Sequence, residues 1–280
     1  MCKNELDEIY NYYLENGTKL TDKKFGIKGC STKLKRNGYK IRTLKESRDF
    51  NSRKRFDSFN IDFKNINSEE SAYILGLIFS DGCVSEKRAL TAIIQKDFKI
   101  LNIIKNIVGG SNGLVKSSSS DGVYQLNFYS RKLARNIIKF GIGESRGRKK
   151  ESYVDINSID DNLKRHFVRG FFDGDGFFTI QNRSVVIGFS LVNKKFLEDL
   201  KSYLEMNGLK NGNISLVRKA GSKCKIKGKS YITNYDTYSL RFSNKESVKA
   251  FSKLIYENSN LKLDRKFNSI TNYENTVLTD

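Results

Sequence analysis

Proline and tryptophan are absent from this 280-residue chain, and histidine occurs once, as His166. A single histidine excludes mechanisms that need several imidazoles, whether as a proton relay or as a histidine-rich metal centre. The four cysteines, Cys2, Cys30, Cys83 and Cys224, stand far apart without a Cys-x-x-Cys pair, so neither a zinc site nor a disulfide framework is indicated. Long apolar runs are missing as well. The longest, 72–79, has eight residues, too few to span a bilayer, and the first residues lack a signal-like hydrophobic region. These absences predict an intracellular protein with no membrane partner, in a bacterial or phage-infected cytoplasm, with an organelle as the alternative setting.

Positive charge is what the chain has in excess: 51 Lys and Arg against 31 Asp and Glu, a formal net charge of +20. That is far more than solubility needs and suits neutralisation of phosphates, so the expected partner is nucleic acid. With 38% hydrophobic residues there is apolar material for two or three packed units.

Three sections follow along the chain. In 1–45, short helical patterns over 5–16, 20–25 and 31–37 are separated by Gly17, by Gly26-Ile27 and closed by Gly38. This rhythm resembles small phage-type helix-turn-helix modules, with Lys23-Lys24 where such modules carry a small residue. Ser31, Thr32, Lys35 and Arg36 on its proposed recognition helix are residue types that reach base edges or phosphates from a major groove. Residues 46–66 are polar, basic and aromatic without periodicity, and are expected to be a linker that tracks DNA.

From Asn67 onward one unit is written twice, over 67–155 and 156–280. The stretch 72–82, ending Phe-Ser-Asp-Gly, is echoed by 166–176, ending Asp-Gly-Asp-Gly, so Asp81 and Asp175 are in register at a spacing of 94 residues. Tyr-Gln-Leu-Asn-Phe at 124–128 is echoed by Tyr-Ser-Leu-Arg-Phe at 238–242, but at a spacing of 114 residues. The second copy therefore carries an insertion, placed at the basic stretch 219–229 as a long loop or hairpin. Periodicity in each copy reads helix, two strands, helix, two strands, helix. The fold class is α+β: two pseudo-symmetric αββαββα halves with antiparallel, saddle-shaped sheets, plus a small all-α N-terminal helix-turn-helix. Alternation of Gln125, Asn127 and Tyr129 with Leu126 and Phe128 gives each sheet one apolar face and one polar face free for a ligand.

The repeated helices carry small residues every fourth position: Ala72, Gly76 and Ser80 in one, Gly170 and Gly174 in the other. Such stripes let two helix backbones approach closely and bring their ends together. Asn67 with Glu70 and Ser158 with Asp161 are the expected N-terminal caps, and Gly82 and Gly176 the expected C-terminal glycine stops. Each helix then ends on an acid, where the macrodipole disfavours negative charge. Two carboxylates so placed call for a bridging cation, and a hard divalent ion meets that demand.

These residues resemble the LAGLIDADG motif in its two-copy, single-chain form, at 74–82 and 168–176, with Phe79 replacing the first acid of the first copy. The resemblance implies a monomeric homing endonuclease with pseudo-two-fold symmetry that hydrolyses both strands of a long, asymmetric double-stranded DNA site. It implies two or more Mg²⁺ ions, with Mn²⁺ able to substitute, held by Asp81, Asp175 and the backbone carbonyls of Ser80 and Gly174. Gln95 and Asn193 would position water, and Lys266, with Lys149 or Lys150 as its first-copy counterpart, would be the basic residue of the catalytic pocket. DNA contacts would come from Gln125, Asn127, Arg183, Ser239 and Arg241 on the sheets and from Lys225 and Lys227 in the insertion. A catalytically inactive DNA-binding regulator and an intron RNA maturase, with RNA as partner, are the alternatives on the same fold.

A charge balance of this kind predicts that affinity for nucleic acid falls steeply with salt, log K against log [salt] having a slope set by the phosphates neutralised. A flat salt titration would remove the nucleic-acid reading altogether.

Overall fold

The structure is a computed structural model that describes residues 2–57, 59–61, 63–110, 112–116, 121–144, 152–181, 184–226 and 229–277. The chain divides into two compact units, Met1–Asp57 and Ser58–Asp280.

In the N-terminal unit, α1 (Lys3–Phe25) is broken inside by Gly17, whose φ of 74° and ψ of 174° only glycine adopts readily. It ends on Gly26 in the left-handed region, and α2 (Cys30–Arg36) follows. Asp22 sets the turn between them, its carboxylate accepting the N–H groups of Gly29 (3.0 Å) and Cys30 (2.9 Å) at the start of α2. Leu6, Ile9 and Tyr13 of α1 pack on Cys30 and Leu34, which leaves Thr32, Lys35 and Arg36 exposed and Ser31 half-buried. The expected linker instead begins as a helix, α3 (Leu44–Asp57). Thr43 and Glu46 start it reciprocally: Glu46 N–H donates to Thr43 Oγ1 (3.2 Å) and Thr43 N–H donates to Glu46 Oε2 (2.7 Å). Its few apolar residues hide the helical period from a hydrophobicity reading.

The larger unit holds the repeat. Its first half runs α4 (Glu69–Asp81), β1 (Gly82–Ser85), β2 (Leu90–Gln95), α5 (Phe98–Val108), β3 (Asn112–Lys116), β4 (Tyr124–Phe128) and α6 (Arg131–Lys139). The second runs α7 (Asp161–Asp175), β5 (Gly176–Gln181), β6 (Ser184–Leu191), α8 (Lys194–Met206), β7 (Asn213–Arg218), β8 (Lys223–Ile226), β9 (Lys229–Ile232), β10 (Thr237–Phe242), α9 (Lys245–Tyr256) and α10 (Asp264–Val277). The sheets are antiparallel with matching orders, β1-β2-β4-β3 and β5-β6-β10-β7. The insertion of the second half is the separate hairpin β8-β9.

The caps lie elsewhere than expected. Ser68, one residue beyond Asn67, caps α4 and exchanges hydrogen bonds with Ser71, which frees Glu70 and leaves Glu69 for another partner. Asp160, not Ser158, precedes α7; Ser158 closes a short 3-10 turn, Ile156–Ser158. Gly82 and Gly176 are extended rather than left-handed, with φ of −90° and −69°, and each enters its strand directly. Glycine is required there for space: a Cβ would lie 2.2 Å from the Ile78 carbonyl oxygen or 2.2 Å from the Phe172 ring.

The centre of the unit is the pairing of α4 with α7. A Cβ on Gly76 would lie 2.1 Å from the Phe167 carbonyl oxygen, and one on Gly170 would lie 2.0 Å from that of Tyr73. The two backbones thus touch with no side chain between them. Phe79 packs beside this contact on Phe196 and Phe171, ring centroids 4.7 and 5.2 Å away, which explains how an aromatic ring is accommodated in place of an acid.

Replacing Gly76 or Gly170 by alanine should therefore destabilise the protein by about 1–3 kcal/mol or more, because neither neighbour is a side chain that can swing aside. Urea unfolding measures this, and an unchanged midpoint for both variants would contradict the backbone contact.

Candidate active site

Close packing of α4 on α7 brings both acid-bearing ends to one place. A Cβ on Gly174 would meet Ser80 Oγ at 1.8 Å and Asp81 Oδ2 at 3.0 Å, so the Asp81 carboxylate lies against the last turn of α7. Asp81 and Asp175 are both half-buried. Ser80 is fully buried and turns its hydroxyl back onto the carbonyls of Gly76 (3.2 Å) and Leu77 (3.0 Å).

Gln95, the last residue of β2, donates from Nε2 to Asp81 Oδ2 at 2.7 Å. The Lys96 N–H donates to its Oε1 at 3.0 Å, so the carboxamide is held at both ends and fixes the orientation of the Asp81 carboxylate. Asp81, Gln95, Lys96, Gly174 and Arg265 line a cleft of ≈ 450 Å³. Arg265 carries no local signal in the sequence beyond its place beside Lys266, because its side chain reaches the cleft through the fold.

Lys266 is buried under the same helix end. Its Nζ donates to the carbonyl oxygens of Phe172, Gly174 (3.2 Å) and Gly176 (2.5 Å), which places a positive charge against the carbonyls around the C-terminus of α7. Burial pushes this ammonium down to about 8, against the upward pull of Asp173, Asp81 and Asp175. Lys266 is thus a positive charge that serves the helix terminus first and faces both acids from there.

Asn193 does not share the position of Gln95. Its Oδ1 accepts the Phe196 N–H at 3.1 Å as the N-cap of α8, and its Nδ2 donates to the Ser152 carbonyl at 3.1 Å. Its counterpart is Asp97, which caps α5 in the same way; the shared Lys-x-Phe sequence around Gln95 and Asn193 misaligns the two by two residues.

A buried polar cluster joins the site to the rest of the half, and its members are too far apart along the chain for local pattern to reveal it. Asp173 accepts from the hydroxyls of Tyr73 (2.9 Å) and Tyr256 (2.8 Å) and from the Leu263 N–H (2.8 Å), which holds the chain entering α10. Burial raises its carboxyl above the usual range against these hydrogen bonds. The fully buried Arg169 donates to Glu69 (2.6 Å) and to the carbonyls of Leu261 (2.6 Å) and Ile255 (2.9 Å). His166 sits at 2.8 Å from Arg169; burial, then the guanidinium, lower it to about 4, so it is a neutral structural residue.

On the sheets, Gln125 donates to Asn127 Oδ1 at 2.6 Å, and Arg241 donates to Ser239 Oγ at 3.3 Å. Arg241 is exposed and Gln125 half-buried, whereas Asn127 and Ser239 are buried. Lys149, Lys150, Arg183 and Lys227 lie outside the described residues, as does the side chain of Lys225.

The donor set at the helix ends is oxygen alone: two carboxylates with the carbonyls beside them. It fits a hard divalent ion that keeps several waters, and, among the described residues, no cluster of three or more His, Cys, Asp or Glu offers another metal centre. No described helix is long and apolar enough to cross a membrane.

Residues 162–256 match the family profile described as LAGLIDADG-like domain. An uncharacterised protein of Methanocaldococcus jannaschii is 24% identical over 193 residues, which cover 66% of this chain and 65% of that protein. Among solved structures, mesophilic variants of the homing endonuclease I-DmoI align over 76% of this chain and 100% of theirs at 17% identity and a TM-score of 0.46. The meganuclease I-SmaMI bound to uncleaveable DNA aligns over 77% and 90% at 13% identity and a TM-score of 0.48. The N-terminal LAGLIDADG domain of DUF199/WhiA aligns over 75% and 93% at 15% identity and a TM-score of 0.42. The second half thus carries the match to the LAGLIDADG-like domain, and the first half repeats its motif helix, its strand order and its terminal acid.

Proposed function

We propose that this protein is a metal-dependent endodeoxyribonuclease that acts as a monomer and cuts both strands of a long, asymmetric double-stranded DNA site. The observation that carries the reading is the abutment of two acid-bearing helix ends, with Asp81 packed on the last turn of α7 and steadied by Gln95. Asp81, Asp175 and the carbonyls of Ser80 and Gly174 would hold the metal. Two or more Mg²⁺ ions, or Mn²⁺ in their place, supply activation of water and stabilisation of the leaving oxygen when bound.

The chain's own residues provide the rest. Helix termini of like polarity, each ending on a carboxylate, abut here, which makes the site between them selective for positive charge. Gln95 prevents Asp81 from rotating away, and Lys266 offsets the carbonyls that would otherwise add to the negative potential. The polar sheet faces, with Gln125 and Arg241 accessible, and the basic hairpin β8-β9 would carry the DNA. The N-terminal unit would add a second reading head through Thr32, Lys35 and Arg36, supported by their exposure on α2. Each half of the larger unit differs from the other in side chains, which supports an asymmetric target.

Incubation of a randomised duplex library with Mg²⁺ tests the reading. Cuts at one long site, abolished by EDTA and slowed about a hundredfold or more in Asp81→Asn and Asp175→Asn while binding persists, are expected. Specific binding with no cutting by the unaltered protein would point instead to a regulator, or, if RNA is bound, to a maturase. For Lys266, titration by NMR should give a midpoint of about 8, lowered further in Asp173→Asn, which removes an upward influence. The sign for stability follows: between about 8 and 10.5 the unfolded chain keeps this proton and the folded one releases it, so the group's contribution to unfolding free energy rises with pH.

A further inference from the structure

The fourth strand of each half lies in the same register. Tyr124 pairs with Gln95 and Tyr238 with Leu191, and both pairings run on to Phe128 and Phe242, so 124–128 and 238–242 hold equivalent places. Side chains alternate along a strand, and Leu126, Phe128, Leu240 and Phe242 take the apolar, buried face. Gln125 and Asn127 therefore correspond to Ser239 and Arg241 on the opposite face.

Each pair is an accessible polar residue held by a buried one. Gln125 Nε2 donates to Asn127 Oδ1 at 2.6 Å, and Arg241 Nε donates to Ser239 Oγ at 3.3 Å. The Arg241 guanidinium also lies 5.8 Å from the centre of the Phe177 ring. Gly188, its cross-strand partner, leaves room for that ring, because a Cβ there would lie 2.6 Å from it.

The chemistry left over differs between the sheets. One N–H of Gln125 is engaged, which leaves a carbonyl and a second N–H, the complement of the N6–H donor and N7 acceptor on the major-groove edge of adenine. Its partners on the neighbouring strands are Ile94 and Val115, aliphatic side chains suited to the methyl group of the paired thymine. Arg241 engages Nε and keeps the N–H donors of its terminal nitrogens with no acceptor, the complement of guanine O6 and N7. Its partners are Gly188 and Asn213, which offer no aliphatic side chain. A net charge of +20 supplies attraction to phosphates on any sequence, so base choice has to come from groups of this kind.

We propose that the two sheets read different bases: Gln125, set between Ile94 and Val115, reads an A·T pair through its adenine, and Arg241, held by Ser239, reads a G·C pair through its guanine. This rests on the duplex-DNA part of the reading above and not on cutting. Gln125 stands next to Tyr124, whose partner Gln95 lines the cleft, whereas Arg241 stands two residues further out from the equivalent Tyr238. The guanine therefore falls farther from the centre of the site than the adenine.

Selection of bound duplexes from the randomised library without divalent metal tests this apart from cutting. The recovered site should hold a fixed A·T pair in one half and, farther from the centre, a fixed G·C pair in the other. Arg241→Gln should change that guanine to adenine and Gln125→Arg should change the adenine to guanine, each leaving the other half alone, with thermal melts verifying that both variants fold. The unaltered protein should bind about tenfold more weakly when either base is replaced by its 7-deaza analogue, which lacks N7. Uracil in place of the paired thymine, which removes the methyl group, should cost about fourfold. One base class read by both sheets, specific binding indifferent to both deaza bases, or an Arg241→Gln variant weakened equally on every sequence, as loss of a phosphate contact would be, overturns the proposal. So does a lack of sequence-specific binding to duplex DNA. Binding with these preferences but no cutting when Mg²⁺ is added overturns the nuclease reading and supports this one.

Discussion

The contact of backbone on backbone between α4 and α7 is the constraint from which the rest of the larger unit follows. Gly76 and Gly170 each receive the carbonyl of the other helix where a methyl group would stand, so the helices are closer than side-chain packing permits. Only at that separation do the ends of the two helices meet, and only then do Asp81 and Gly174 touch. Aromatic rings close the flank, Phe79 stacking among Phe167, Phe171 and Phe196. The sheets then extend from the helix ends without intervening loops, because β1 and β5 begin on the residue after each acid.

Bringing two helix C-termini together concentrates negative potential, and the second half shows how that potential is answered. The second half buries Lys266 against three carbonyls of its own helix end. It also buries Asp173, held by two tyrosines and a backbone N–H, to anchor the segment that delivers Lys266. The first half has Phe79 at the position that matches Asp173, and a ring cannot accept the hydrogen bonds that Asp173 takes. An acid and an aromatic ring therefore occupy equivalent sites because their neighbours differ: hydroxyls and an N–H around one, rings around the other. Arg169 and Glu69 make a second link, from the start of α4 to a carbonyl in the last turn of α9 and one beyond it, and the buried guanidinium is tolerated because it is paired with a carboxylate and hydrogen-bonded to both carbonyls.

The two halves depart from two-fold symmetry outside the core as well. The β8-β9 hairpin is present in one half alone among the described residues, and Leu191 replaces the carboxamide that orients the opposite acid.

Sequence by itself determined the repeat, the strand order of each half, the stripe of small residues and the two terminal acids, because these are periodic or local features that one chain segment can display. It also located the insertion, from the unequal spacing of two echoes. Partners belonged to the tertiary structure. Gln95 meets Asp81 only after a hairpin returns, Lys266 reaches the α7 carbonyls across about ninety residues, and Arg169 finds its acceptors at an equal remove. Asn193 shows the limit most clearly: its neighbours in sequence match those of Gln95, yet sheet register, which depends on strand pairing rather than on local composition, makes it the counterpart of Asp97 and gives the place of Gln95 to Leu191.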